Sequence, residues 1–139
     1  MTPAKKLQIF FPDRLRFAAE ARSRDGLSEA IREGLSRYYH LLDAERESLK
    51  GLFEPGELLL LADANNGTIY TPETIQCFSA NAEDTEPEKY AYFGADRRTL
   101  INKLNALTIG QTHALVDAVE RYWKAAAHTQ AVDPAKLLD

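Results

Sequence analysis

Few side chains in this 139-residue chain are of types that do chemistry, and their spacing narrows what that chemistry is. The single cysteine, Cys77, can form neither an intramolecular disulfide nor a thiolate-rich metal site. Beside Phe78 in a helical pattern it reads as a small buried apolar residue rather than a nucleophile. His40, His113 and His128 lie far apart, and no two share the spacing of metal ligands on one helix turn. The acidic stretch Glu83–Glu88 lacks the glycine and the ligand spacing of a calcium loop and reads as solvated. There is no glycine-rich phosphate loop, no triad and no pair of carboxylates with a plausible pocket. No catalytic residue, metal or cofactor is therefore expected, and the chain is not expected to be an enzyme. What remains is a group of donors near the N-terminus: Lys5, Lys6, Gln8, Arg22 and Arg24. A lysine ammonium can donate to guanine O6 and N7, and a glutamine amide can pair with both edge atoms of adenine. Lys and Arg also neutralise phosphates. Taken singly, each of these cations reads as ordinary solvated charge.

The elements that would position these donors follow from periodicity. Lys6, Gln8 and Phe10 alternate with Leu7, Ile9 and Phe11, the pattern of a strand with two distinct faces. Pro12 ends it, because proline cannot continue a ladder. Residues 13–23 read as a short helix with Leu15, Ala18 and Ala19 on its apolar side, broken by Asp25-Gly26. Ser28 is expected to cap a second helix, with Glu29 favouring its dipole. That helix carries Ile31, Leu35, Tyr38, Tyr39 and Leu42 at helical spacing, and reaches Leu42 or frays on to Lys50.

Residues 51–139 also read as helical. Pro55 to Ala64 forms an apolar helix stopped at Asn65-Asn66-Gly67. Thr71-Pro72-Glu73 is a start signal for a helix with Ile75 and Phe78 that fades near Ala82. Asp96 is placed to cap a helix bearing Leu100, Ile101, Leu104 and Leu107. Thr108 and Gln111 have capping-box spacing and open a last helix with Leu115, Val119, Tyr122 and Trp123.

A lone strand in a helical chain needs a partner, since an unpaired apolar strand is a sticky edge. Two-fold pairing with a second copy of the chain is the simplest solution, and a strand within a private sheet is the plainer alternative. Strand, proline, helix, glycine turn and Ser-led helix, carried by Lys5-Lys6-Leu7-Gln8-Ile9-Phe10-Phe11-Pro12 and by Gly26-Leu27-Ser28-Glu29-Ala30-Ile31-Arg32-Glu33-Gly34-Leu35, resembles the ribbon-helix-helix DNA-binding proteins of the Arc and MetJ type. The resemblance covers about residues 5–42. It implies that a two-stranded ribbon of a homodimer enters the major groove of double-stranded DNA. Lys6, Gln8 and Phe10 would then meet base edges, although Phe10 stands where the family usually has a polar residue. Lys5, Arg24, Ser28 and Glu29 would contact phosphates, the last two through helix-terminal amides. Leu7, Ile9, Phe11, Ile31, Leu35 and Tyr38 would form the dimer core.

The expected fold is thus mainly α: a ribbon-helix-helix module over 1–50 and a small α-helical domain over 51–139 for oligomerisation or partner binding. Residues 1–50 carry a balance of +2 and residues 51–139 one of −6, which sum to the chain's −4. The acidic second half suits a protein surface better than a phosphate backbone. The longest apolar run, Leu58 to Ala62, is far short of the roughly 20 residues that cross a bilayer, and no signal-peptide core follows Met1, so a cytoplasmic protein is expected. The function implied by the resemblance is a sequence-specific transcriptional repressor or regulator, with antitoxin or plasmid or phage accessory roles sharing the same DNA chemistry. The alternative is a protein-binding adaptor or inhibitor whose ribbon serves mainly to dimerise it.

Overall fold

The computed structural model describes residues 26–66, 68–128, 133 and 136–139. These residues form six helices: α1 (Leu27–Leu49), α2 (Pro55–Ala64), α3 (Cys77–Glu83), α4 (Pro87–Phe93), α5 (Arg97–Asn105) and α6 (Ile109–His128). Among the described residues there is no strand or sheet. This corrects the expected fold class: the described architecture is wholly helical, and no ribbon strand is seen among the described residues. The apolar positions of the described segments recur at helical rather than alternating spacing, which makes them helices. The expected strand and first helix, within residues 5–23, lie outside the described residues.

The chain divides into two compact units, Met1–Tyr39 and His40–Asp139. The division falls inside α1. Leu42 and Leu49, near the end of α1, are buried in the core of the second unit.

That core is built around α2. The helix starts where Glu57 Oε1 accepts the Glu54 amide at 2.7 Å and Pro55 occupies the first helical position. Leu58, Leu60, Leu61 and Ala62 are all buried, so apolar side chains cover most of its circumference. A helix of that kind belongs in the interior, and α2 packs against α3, α4 and α6. Gly56 makes the α2–α4 approach possible, because a Cβ there would overlap the Phe93 carbonyl oxygen. Phe78, Leu100, Leu115 and Val119 complete the centre.

The remaining ends follow local chemistry. Asp96 caps α5 by accepting the Thr99 amide at 2.9 Å. Thr108 and Gln111 form the reciprocal capping box of α6, with bonds of 3.0 and 3.1 Å. Three local readings are corrected. After Thr71-Pro72 the chain makes turns before α3 begins at Cys77, because the Thr74 hydroxyl accepts the Thr71 amide at 2.8 Å and competes with a helical start. Cys77 is exposed, since α3 buries the face of Phe78 and Ala82 instead. The segment Pro87–Phe93, which begins within the acidic stretch read only as solvated, is helical: Pro87 opens it and Gly94 ends it in the left-handed conformation.

Candidate functional site

The N-terminal half of α1 holds the expected site residues that are described. Gly26, at φ 94°, turns the chain into the helix, and its carbonyl accepts the Ala30 amide at 3.1 Å. Ser28 therefore lies inside the first turn instead of capping it. First-turn amides have no acceptor within their own helix, so those of Ser28 and Glu29 fall where an anion could be met. The Glu29 carboxylate works against that, because it favours the same dipole end itself. It also pairs with Arg32, Nη2 to Oε2, at 3.3 Å. A shallow groove of about 330 Å³ runs along Glu29, Arg32, Glu33, Ser36 and Arg37. Two arginines and two glutamates make it electrically balanced.

The apolar stripe of α1 changes character along its length. Leu35, Leu42 and Leu49 repeat every seven residues, close to two helical turns, and so share one face. Leu42 and Leu49 are buried, whereas Leu35 is 51% exposed. Ile31 is half-buried on the same stripe, and Tyr38 is 45% exposed. Tyr38 and Tyr39 meet edge to face with ring centroids 5.7 Å apart. The structure thus brings Ile31, Leu35 and Tyr38 onto one helix face. Lys5, Lys6, Leu7, Gln8, Ile9, Phe10, Phe11 and Arg24 lie outside the described residues.

Two polar clusters in the second unit escaped the sequence reading. Glu57 is buried, and its Oε1 also receives Lys103 Nζ, while its Oε2 is buried with no hydrogen-bond partner. Lys103 in turn lies 5.9 Å from the Phe53 ring centroid. The capping spacing marks Glu57, but nothing local points from it to Lys103.

The second cluster joins Asn65, Tyr70 and Asn81. Buried Asn65 donates to the Leu61 carbonyl at 2.8 Å and accepts from the Tyr70 hydroxyl and from Asn81. The Tyr70 amide donates to Glu120 at 2.8 Å. Burial pushes the Tyr70 hydroxyl above its ordinary pKa. Trp123 adds a tie to the Ala62 carbonyl at 2.8 Å. These contacts brace the loop after α2 against α3 and α6, and every group named has a partner.

Among the described residues, no group of three His, Cys, Asp or Glu could hold a metal ion, and no helix is long and apolar enough to cross a membrane. Comparison with protein-family models, with curated proteins and with solved structures gave no match.

Proposed function

We propose that the chain is a homodimeric, sequence-specific DNA-binding protein of the cytoplasm, acting as a transcriptional regulator rather than as an enzyme. The observation that carries this reading is the charge of the two units. Residues 1–39 hold eight Lys/Arg against five Asp/Glu, a balance of +3. Residues 40–139 hold nine against sixteen, a balance of −7. The cations are thus concentrated in the first unit, the distribution expected when one part of a chain meets phosphates. The half-exposed Leu35 on the α1 stripe supports self-association, which would give two copies for a two-fold symmetric DNA site.

Leu35→Glu tests the dimer. A charge buried at a self-association surface should raise the dimer dissociation constant by about 100-fold or more. Sedimentation should then show monomer, and DNA affinity should fall with it. Unchanged sedimentation and unchanged DNA affinity would remove α1 from the proposal.

A second reading, a protein-binding adaptor or antitoxin-like inhibitor, is favoured by the acidic unit, where Ile69, Tyr92 and Ile109 are at least 80% exposed. Lys6→Ala with Gln8→Ala separates the two. A DNA binder that uses these donors loses site discrimination while remaining a dimer; an adaptor keeps its partner affinity.

A further inference from the structure

We propose that the cleft between the Leu52–Phe53 turn and the α5–α6 junction binds a small neutral molecule with an apolar body and one hydrogen-bond-accepting oxygen. Leu52, Phe53, Lys103, Ala106, Leu107 and Gln111 line a space of about 270 Å³. That lies just below the usual range of ligand pockets, which begins at about 300 Å³, and suits a ring with a short chain. Leu52 is 45% exposed, an apolar surface that such a ligand would cover.

Lys103 supplies the polar recognition. Its ammonium has three donors, of which Glu57 Oε1 takes one. It is also held in place. Glu57 is buried and its other oxygen has no partner, so withdrawing Lys103 would leave an uncompensated carboxylate. The cleft is therefore lined by a cation whose position the Glu57 pair fixes before any ligand arrives, which lowers the ordering cost of binding. Gln111 is committed elsewhere: its Oε1 accepts the Thr108 amide and its Nε2 donates to Ser48 Oγ at 3.1 Å. It forms wall rather than donor.

Charge selects the ligand class. The Glu57–Lys103 pair is neutral as a unit, and the −7 of residues 40–139 disfavours an added anion. A cation would face the ammonium. A ketone, ester or amide carbonyl meets neither penalty and accepts from the remaining Lys103 donors.

The test is titration of the full ¹⁵N-labelled chain with 4-phenyl-2-butanone, beside 3-phenylpropanoate and 3-phenylpropylammonium, which share its ring but carry opposite charges. Saturable shifts of the Leu52, Phe53, Leu107 and Gln111 amides are expected with the ketone, at an affinity about tenfold above either ion. Ala106→Phe, which fills the cleft and leaves the ion pair intact, should abolish the shifts. Lys103→Met should weaken binding by about tenfold where it folds; where it does not fold, Ala106→Phe carries the test alone. No saturable shift with the ketone, tighter binding of either ion, or unchanged binding by Ala106→Phe would each overturn the proposal. The readout is independent of DNA, so it stands or falls apart from the regulatory reading.

Discussion

Gly56 shows how one residue sets the spacing of two helices. Its missing side chain lets the start of α2 touch the Phe93 carbonyl, and even a methyl would collide with backbone rather than with a movable side chain. Gly56→Ala should cost about 1–3 kcal/mol, the usual range for overpacking, and lower the denaturant midpoint without changing the slope. Asn65 is the complementary case, a buried polar side chain whose bonds fix a loop. Asn65→Leu keeps most of the volume but deprives Tyr70 and Asn81 of their shared acceptor. A loss of about 1–3 kcal/mol is expected in the same unfolding measurement. Neither residue could be picked out by type alone. A glycine after a proline reads as a turn, and the partner 37 positions onward at Phe93 is set by packing. The Glu57–Lys103 pair was hidden for the same reason: its halves are 46 positions apart.

At the scale of elements, helix ends were the legible part. Pro55 to Ala64, the Asp96 cap and the Thr108–Gln111 box all stand where local sequence puts them, because capping is decided within four residues. Sequence failed where side chains compete with backbone, as at Thr71–Thr74, or where charge obscures a start, as when Glu83–Glu88 hid the opening of α4 at Pro87. Cys77 was misplaced because the apolar face of α3 is set by Phe78 and Ala82, four residues apart. The Asp96 cap has a pH signature. The Thr99 hydroxyl and amide both donate to its carboxylate and hold its pKa below the ordinary 3.8. A folded pKa below the unfolded one gives stability that is present above the ordinary carboxylate range and lost as pH falls through the depressed value. Asp96→Ala should therefore melt below the parent at pH 7, and the gap should narrow at pH 3 and below. A gap that stays constant across that range would mean that the carboxylate charge has no part in the cap.

At the scale of the whole molecule, composition showed an acidic second half, and the structural division at Tyr39 sharpens the contrast to +3 against −7. The expected boundary near residue 50 rested on that charge shift, and the resemblance on residues 5–42, of which 27–42 are helical in the structure. What carries over is physical: cations gathered in one unit and an apolar α1 stripe that is buried at Leu42 but half-exposed at Leu35. Together they suit a protein that pairs with itself and meets phosphates. The most direct measurement is selection of binding sites by the full-length chain from a random pool of DNA duplexes at low salt. The account predicts enrichment of one two-fold symmetric sequence, bound about a thousandfold or more above scrambled duplex and weakening steeply as salt rises. Failure to retain any DNA at low salt, or retention without sequence enrichment over successive rounds, would contradict it.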